Sequence, residues 1–463
     1  MIFDSLNKYK NNIAIINQQE KITYNLLNDL TEKINFGQNK LILILSDNNI
    51  ETVILYVSAI KSKSSVYLID NKCDDKFLNR TIKSYKPDII AFPKKKNINN
   101  KGYYSTSTFR GYIIKNKKNK NKKYPNKNLA LLLTTSGTTG TQKLVKLSYK
   151  NISSNASSIS QYLGLTRNDC SITTLPIFYS YGLSVINSHL YSGSKIILSK
   201  SSILESNFWK CVKRFRVTNI SMVPFFFDIL KKINFDRYGI KTLRFVTVAG
   251  GKLDLVSEKY FNKFFFKRKI KLIKMYGATE ASPRISYLKP KFNNKKIGSI
   301  GKVIPGGNLH IEDKKGKKIL KPHITGYITY SGPNVFMGYS FSRDDLITDD
   351  TPKYLNTGDL GYFDKDGFFF ITGRTKRFAK IFGHRINLDE IENTNKALGF
   401  QNATISDDKK IIIFLKKKDK NKSTKKVLEN IKINSAYVKF VYISKFPVNS
   451  SNKINYEKLK SIY

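Results

Sequence analysis

The sequence predicts an α/β protein with a large N-terminal part of mostly parallel sheets and a small C-terminal α+β part. Near the N-terminus, the apolar runs LILILS and SVYLID flank ETVILYVSAIK, which has the composition of a buried helix. A strand, a helix and a strand in this order form a parallel crossover. From about Gly298 the pattern changes to short alternating segments interrupted by Gly, Pro and Asp, which indicates an antiparallel β-rich region. At 463 residues the chain exceeds one ordinary domain.

The elements can be placed along the chain by their apolar periodicity. Residues 22–36 carry leucines at helical spacing, with Thr23 or Asn25 available as a cap. Strands are expected at 41–46, 65–70, 194–199, 217–224, 243–251, 270–282, 410–416 and 437–444. Helices are expected at 51–61, within 172–193 and at 387–398. A basic low-complexity run that ends at Asn128 is expected to be a solvated loop.

The formal charge is strongly positive, because 82 Lys and Arg residues face 34 Asp and Glu residues, a balance of +48. Such a charge attracts nucleic acids, membranes or acidic proteins, or it reflects a general enrichment in lysine. The basic residues are spread along the whole chain, and no nucleic-acid-binding module accompanies them. We therefore favour general enrichment and expect no nucleic-acid partner.

The cysteine content and the lengths of the apolar runs indicate in which cellular compartment the protein is expected. Cys73, Cys170 and Cys211 are odd in number and far apart, and they lack metal-ligand spacing, which favours a reducing compartment. The N-terminal residues lack the basic-then-apolar order of a signal peptide. No apolar run approaches the roughly 18 residues that a membrane helix needs. The expectation is a cytoplasmic protein without a membrane span.

The segment Leu131–Val145, LLLTTSGTTGTQKLV, indicates a buried strand that opens into a loop of small residues. Glycines let consecutive backbone N–H groups point at an anion, and hydroxyls and a lysine add donors and charge. Two residues separate Gly140 from Lys143, so the spacing is not that of a Walker P-loop. We interpret the loop as a polyphosphate cradle. Its candidate residues are Thr135, Ser136, Gly137, Thr138, Thr139, Gly140 and Lys143.

Two other predicted strands also end in small or polar residues, Ala249–Gly251 and Tyr276–Glu280. In open parallel sheets, ligands bind beyond the carboxyl ends of the strands. We therefore expect these two segments and the cradle to meet around one ligand.

With these segments placed, the chain resembles the adenylate-forming superfamily, which includes acyl-CoA synthetases, peptide synthetase adenylation domains and luciferases. The resemblance covers nearly the whole chain and follows the family's motif order. The motifs are TTSGTTGTQK, MYGATE, GSIGKVIPGG, GPNVFMGY, NTGDLGYFD, GRTKRFAKIFGHRINLDEIE and SSNKINYEKLK.

The resemblance implies an enzyme that joins a carboxylate to the α-phosphate of ATP, releases pyrophosphate and passes the acyl group to a thiol. Thr279 would contact the α-phosphate and Glu280 would bind Mg²⁺, a cation that favours carboxylate oxygen. The family pattern assigns adenine to Tyr276, Gly277, Gly250 and Gly251, and the ribose to Asp359 and Arg374.

The C-terminal motifs imply a mobile lid. Lys453 would bridge the attacking carboxylate and the ribose-phosphate oxygens, where its charge would stabilise the transition state. Lys376 matches the hinge, which divides an adenylation domain at 1–375 from a lid domain at 376–463. Lys380 lies on the segment that would face the site in the second conformation.

The acid and the thiol are less defined. Gln142 replaces the family's usual proline in the cradle, and Tyr179 stands where many acyl-CoA synthetases have His and amino-acid adenylation domains have Asp. Because Tyr179 carries no charge to pair with an α-ammonium, we expect a small apolar or hydroxylated carboxylic acid, with Tyr179 and Gly182 in its pocket. The chain stops ten residues after Lys453, so no fused carrier domain is expected.

Several functions stay open at this point. The acceptor is CoA or the phosphopantetheine of a separate carrier protein, which is usually acidic and would suit a basic chain. The alternatives to an acid–thiol ligase are an enzyme that loads an amino acid or another acid onto a carrier protein or glycan, and a nucleotide-binding or nucleic-acid-binding protein without turnover.

Overall fold

The structure is a computed structural model that describes most of the chain. The described residues are 2–4, 6–96, 98, 102–119, 121, 123–134, 143–233, 235–374, 377–381, 384–407, 410–420, 424, 427–428, 435–449 and 453–463. The predicted cradle residues from Thr135 to Gly140, Gln142 and the predicted hinge Lys376 therefore lie outside the described residues.

The first 150 residues alternate strands and helices, as the apolar periodicity predicts. The strands are β1 (Ile13–Ile16), β2 (Lys21–Thr23), β3 (Leu41–Ser46), β4 (Ser65–Asp70), β5 (Ile89–Pro93), β6 (Tyr103–Phe109), β7 (Tyr112–Lys117), β8 (Leu129–Thr134) and β9 (Leu144–Ser148). The helices are α1 (Tyr24–Glu32), α2 (Ile50–Lys61), α3 (Asp75–Tyr85) and α4 (Tyr149–Leu163). The predicted strands at 41–46 and 65–70 are confirmed residue for residue. The basic run differs in part, because its first residues belong to β7.

The middle of the chain repeats the alternation and then becomes β-rich. Its strands are β10 (Cys170–Ile172), β11 (Lys195–Ile197), β12 (Asn219–Met222), β13 (Phe245–Val248), β14 (Lys271–Tyr276), β15 (Ser286–Leu288), β16 (Ser299–Val303), β17 (Asn308–Glu312), β18 (Gly326–Ser331), β19 (Tyr339–Ser340), β20 (Leu355–Phe363) and β21 (Phe369–Arg374). Its helices are α5 (Ser180–Tyr191), α6 (Ser206–Arg214), α7 (Pro224–Lys232) and α8 (Leu255–Lys267).

The first large sheet has the strand order β19-β9-β8-β4-β3-β5-β7-β6 among the described residues. Strands β5, β3, β4 and β8 are parallel neighbours, which confirms the predicted crossover. Helix α2 is buried along almost its whole length, which explains its uniformly apolar sequence. Asn49 begins this helix by accepting a hydrogen bond from the N–H of Thr52.

The second large sheet has the order β17-β18-β20-β21-β16-β15-β14-β13-β12-β10-β11-β1-β2. Strands β1, β11, β10, β12, β13 and β14 are parallel along this order. Strand β15 pairs with β14 in the antiparallel sense, and the β-rich strands continue from it. The change of pattern predicted near Gly298 therefore begins one strand earlier, and the antiparallel strands extend the parallel sheet instead of forming a separate one.

The C-terminal residues form a smaller α+β unit, as predicted. Its elements are β22 (Phe378–Ile381), β23 (His384–Asn387), α9 (Leu388–Ala397), β24 (Asn402–Ser406), β25 (Ile411–Lys416), β26 (Val438–Ile443) and α10 (Tyr456–Lys460). Strands β24, β25 and β26 form one sheet, with apolar clusters on both of its faces. Arg377, at the start of this unit, donates to Glu392 and lies over the ring of Tyr456 at 3.9 Å, which ties α10 to α9.

The helices were also compared with the requirements for crossing a bilayer. Within the part of the chain that the structure describes, none combines the necessary length with sufficient apolar character.

Candidate active site

Three neighbouring strands, β12, β13 and β14, end at the same edge of the second sheet. Because they pair in parallel, with Met222 opposite Val248 and Val248 opposite Lys274, the residues that follow them converge. A β-carbon added to Gly250 would lie 3.3 Å from Val223, which follows β12. Gly251 approaches the ring of Pro224 in the same way, also at 3.3 Å. The edge where ligands bind in such sheets is therefore lined by small residues.

Asp359 is the centre of a network that joins this edge to the β-rich strands. It lies in β20 directly opposite Arg374 in β21, and the Arg374 Nε donates to its carboxylate at 2.9 Å. The hydroxyl of Tyr276, at the end of β14, donates to the other carboxylate oxygen. Asp359 is buried, whereas 63% of the Arg374 side chain is exposed. The pair therefore offers a held carboxylate and a guanidinium that faces solvent.

Lys453 lies at the same place, although it belongs to the C-terminal unit. Its Cε is 3.9 Å from the position of a β-carbon at Gly250, and its Nζ is 5.9 Å from the ring centre of Tyr179. Burial, together with the nearby charge of Arg374, lowers the pKa of Lys453 to about 8, against the opposing charges of Asp359 and Glu280. The structure thus brings the predicted lysine to the predicted nucleotide residues.

Tyr179 lies beside Lys453 and packs against a buried apolar cluster. Its hydroxyl is 2.7 Å from where a β-carbon of Gly250 would lie, and Gly250 has the positive φ of +82° that favours glycine. Burial raises the pKa of Tyr179 to about 12, so its hydroxyl stays protonated at neutral pH. Gly182, in the first turn of α5, is needed for a close approach, because a β-carbon there would lie 2.2 Å from the Pro176 carbonyl oxygen.

Glu280 is held from the side of the predicted cradle. The hydroxyl of Tyr339 in β19 donates to Glu280 Oε1 at 2.9 Å, and the Nζ of Lys143 lies 3.4 Å from the centre of the Tyr339 ring. Lys143 directly precedes β9, which pairs with both β8 and β19. Tyr339 therefore connects the exit of the cradle to the Thr279–Glu280 segment.

Thr279 and Gly277 complete this segment. The hydroxyl of Thr279 is 3.1 Å from that of Ser180, the first residue of α5. A β-carbon at Gly277 would lie 1.6 Å from the carbonyl oxygen of Pro283, so the chain can fold back here only without a side chain. The segment is thus fixed to α5 on one side and to its own continuation on the other.

Glu280 is the candidate for a metal ligand. No group of three or more His, Cys, Asp or Glu side chains among the described residues has the arrangement of a metal site. Magnesium commonly takes one or two protein carboxylates and completes its shell with phosphate oxygens and water. A single oriented carboxylate such as that of Glu280 fits that requirement.

The structure also identifies residues that the sequence analysis does not select. Tyr339 closes the motif GPNVFMGY, so its position in the motif was a usable signal. Arg284 lies four residues after Glu280, and its guanidinium stacks on the ring of Tyr181 at 4.2 Å. In a chain with 82 Lys and Arg residues, one more arginine carries no signal of its own.

The remaining predicted residues are Lys380, the loop residues of the cradle and the hinge lysine. Lys380 lies in β22 of the C-terminal unit, where it pairs with Arg385 across the hairpin. The cradle residues from Thr135 to Gly140 and the hinge lysine lie outside the described residues, as stated above.

Comparison with known proteins identifies related sequences and a shared fold. The AMP-binding enzyme family matches residues 2–340. A 2-succinylbenzoate–CoA ligase from Bacillus cereus is 32% identical over 264 residues, which cover 56% of this chain and 53% of that protein. One from Bacillus pumilus is 27% identical over 399 residues, or 82% of this chain and 78% of that protein. The chain thus spans about half the length of the Bacillus cereus relative that it matches.

A solved structure has the same fold over nearly the whole chain. It is o-succinylbenzoate CoA synthetase from Bacillus subtilis in complex with an acyl-adenylate intermediate. The TM-score is 0.81 at 22% sequence identity, with 99% of this chain and 97% of that chain covered. At this identity the likeness concerns the fold.

Proposed function

The chain belongs to the family of AMP-binding enzymes, and we propose that it activates a carboxylic acid with ATP and transfers the acyl group to a thiol. The observation that carries the proposal is the position of Lys453, against Gly250 and Tyr179 and within electrostatic reach of Asp359, Glu280 and Arg374. A cation from one unit thereby meets candidate nucleotide residues from the other. Such an arrangement stabilises charge that develops between an acid and a nucleotide.

In the first step, a carboxylate oxygen of the acid attacks the α-phosphorus of ATP. The new bond joins that oxygen to phosphorus, the bond to the β-phosphate oxygen breaks, and pyrophosphate leaves with the electron pair. Lys453 neutralises negative charge as the two anionic reactants approach. Because the chemistry is mostly positioning and charge stabilisation, the residues have to hold the reactants in line.

The nucleotide would be held along the sheet edge. Asp359 would accept from the ribose hydroxyls while Arg374 reaches the same sugar, and Tyr276 would lie against adenine beside Gly250 and Gly251. Thr279 would bind the α-phosphate, with Gly277 allowing the backbone to approach. The β- and γ-phosphates are assigned to Lys143 and to the cradle residues Thr135, Ser136, Gly137, Thr138, Thr139 and Gly140.

Glu280 would hold Mg²⁺, which supplies charge neutralisation for the phosphate oxygens when bound. The hydroxyl of Tyr339 donates to one oxygen of this carboxylate, at 2.9 Å. This leaves the second oxygen of Glu280 to accept other ligands.

In the second step, the sulfur of the thiol attacks the acyl carbon, AMP leaves, and the thiol proton is released. We propose CoA as the acceptor, supported by the names of the Bacillus relatives, with a carrier-protein phosphopantetheine as the alternative. Residues 376–463 would act as a lid that turns about Lys376 relative to residues 1–375, bringing Lys380 toward the site. The separate apolar clusters of the C-terminal unit support its movement as one body.

The acid is proposed to lack an α-ammonium group, because the uncharged Tyr179 occupies the wall of the pocket. The relatives are named for 2-succinylbenzoate, which has no amino group, and this acid is our first candidate. A cytoplasmic location is consistent with the use of ATP and CoA and completes the proposal.

The test is exchange of labelled pyrophosphate into ATP, which requires formation of the acyl-adenylate. The purified full chain is assayed with Mg²⁺ and a panel of aromatic, aliphatic and keto acids, together with the common α-amino acids. We expect exchange with members of the first group. Exchange with no acid would leave a nucleotide-binding protein without turnover, and exchange with α-amino acids alone would replace the proposed substrate class. Product analysis with CoA then separates CoA from a carrier protein as acceptor.

A further inference from the structure

A small cavity of about 10 Å³ lies among residues that pack against Tyr181. Its walls come from α4, α5 and the ends of β12, β13 and β14, and they include Ser184, Ser188, Ser221, Thr247 and Arg284. The hydroxyl of Tyr181 bonds to that of Thr247 in the cavity wall at 2.8 Å, and the ring of Tyr179 lies 6.4 Å from that of Tyr181. The cavity is therefore next to the place where the acid is proposed to bind.

Arg284 carries the positive charge of this cavity. The other basic residue in its walls, His189, has both ring nitrogens engaged, with the Val185 carbonyl at 2.8 Å and Asn219 at 3.2 Å. Burial lowers the pKa of His189, which keeps it neutral. A guanidinium stays protonated in proteins.

Arg284 is buried without an anion. Only 3% of it is exposed, and its Nε has no hydrogen-bond partner among the described residues. No carboxylate in the described part of the chain forms an ion pair with it, whereas the similarly buried Arg343 pairs with Asp88 at 2.9 Å. A buried charge is costly unless it is paired.

The groups that do surround Arg284 are neutral tyrosines. Its guanidinium lies over the ring of Tyr181 and close enough to Tyr162 and Tyr179 to oppose the rise in the pKa of each. Burial dominates and raises the pKa of all three hydroxyls, so none supplies a negative charge. The tyrosines orient the guanidinium without neutralising it.

We propose that Arg284 binds a second anionic group of the acid, so that the substrate carries one carboxylate for activation and another for recognition. The inference rests on the proposed function and specifies its substrate class. The reacting carboxylate would lie near Lys453, and the other end of the molecule would pass Tyr179 and Tyr181 to reach Arg284. A guanidinium suits this role because it binds a carboxylate through two parallel N–H donors.

The competing explanation is structural, in which Arg284 only braces the tyrosines of the pocket wall. The two explanations differ in what they predict for matched acids. If Arg284 binds an anion, its removal affects acids with a second carboxylate and leaves acids without one unchanged. If it braces the wall, its removal affects both kinds of acid alike.

The experiment compares 2-succinylbenzoate with two acids that each lack one of its carboxylates, 3-benzoylpropionate and 2-butanoylbenzoate, by pyrophosphate exchange. With the native chain, we expect kcat/KM for the better of the two monoacids to be about 10- to 100-fold below that for the diacid, the scale of a hydrogen-bonded charge pair. In R284M this preference is expected to disappear, with the KM for ATP unchanged. R284K keeps the charge without the two-pronged donor and should restore part of the preference.

Each outcome decides a different claim. Equal use of diacid and monoacid by the native chain, or an equal loss for both in R284M, overturns the role of Arg284 and leaves the acid–thiol ligase intact. Exchange with no acid overturns the proposed function, and the inference fails with it. Arg167, an exposed arginine outside the cavity, provides the control R167M, which should behave like the native chain. If R284M does not fold, the comparison of R284K with the native chain on the same three acids decides the question.

Discussion

The nucleotide half and the acid half of the candidate site differ in whether their charged side chains have partners within the protein. On the nucleotide side, charges are paired within the protein, as Asp359 with Arg374, and polar contacts are made, as Tyr339 with Glu280. On the acid side, Tyr179 and Tyr181 enclose Arg284, a cation without an anionic partner among the described residues. The first half is organised before any ligand binds, whereas the second half has a charge that a ligand can satisfy.

This difference indicates which half of the candidate site selects the acid. Under the proposed function, Tyr276, Glu280, Asp359 and Lys453 of the nucleotide half lie in the sequence motifs, whereas Tyr179 and Arg284 of the acid half lie outside them. Lys453 lies near both halves, against Gly250 on one side and Tyr179 on the other, so its substitution affects both of them.

The largest expected effect is that of K453A, since it removes the cation shared by both halves. We expect the rate of pyrophosphate exchange to fall by about 10²- to 10³-fold, the scale found when one preorganised group facing transition-state charge is deleted. Thermal unfolding should stay close to that of the native chain, because Lys453 Nζ contributes no hydrogen bond to the fold among the described contacts.

Lys458 gives a matched control in the same C-terminal segment. It is exposed on α10, five residues after the site lysine, and K458A should exchange within about twofold of the native rate, as surface substitutions usually leave a protein unchanged. If K453A and K458A lost the same fraction of the exchange rate, Lys453 would have no specific role in the site.

D359N tests the nucleotide half alone. It removes the charge that pairs with Arg374 and weakens the acceptor for Tyr276, so AMP affinity measured by calorimetry should fall by about 10- to 100-fold. The relative preference among acids should not change. D366N, in the exposed turn between β20 and β21, is the control, and a changed acid preference in D359N would show that the halves are not separable.

The pH dependence of the native chain sharpens the role of Lys453. Its charged form is lost as the pH rises through its lowered pKa of about 8, so kcat/KM for ATP should decline above that pH, by about tenfold per unit. In K453R the guanidinium remains protonated, and this decline should move to higher pH. An unchanged basic limb in K453R would assign the titration to another group.

The smallest expected effect is that of Y339F, which deletes the hydrogen bond to Glu280 but keeps a ring beneath Lys143. Because this bond orients Glu280 and does not itself contact Mg²⁺, the Mg²⁺ concentration for half-maximal exchange should rise by about 5- to 10-fold, the scale of one ordinary hydrogen bond. Y339L also removes the ring face and should add a loss in apparent ATP affinity. Identical behaviour of the two variants would exclude a contribution from the Lys143–Tyr339 contact.

Much of the fold was predictable because its signals are local. The strands at 41–46 and 65–70 and the helix between them follow from apolar runs that a buried parallel sheet requires. The antiparallel region was also recognisable, but its continuity with the parallel sheet was not. That continuity depends on β15 pairing with β14. The apolar periodicity of a strand does not show which other strand it pairs with, so the sequence does not reveal this pairing.

For the site, the sequence by itself indicated the candidate residues of the nucleotide half, since Tyr276, Glu280, Asp359 and Lys453 each lie in a motif that resembles the adenylate-forming superfamily, and the resemblance implies their roles. Only the tertiary structure decided that Lys453 lies against Gly250, that Tyr339 holds Glu280, and that Arg284 is buried among tyrosines without an anion. The physical reason is that burial and pairing are properties of the surroundings. The sequence does not show whether an arginine is exposed to water or buried in a pocket. Only the fold therefore decides whether burying its charge costs free energy and whether it can bind an anion.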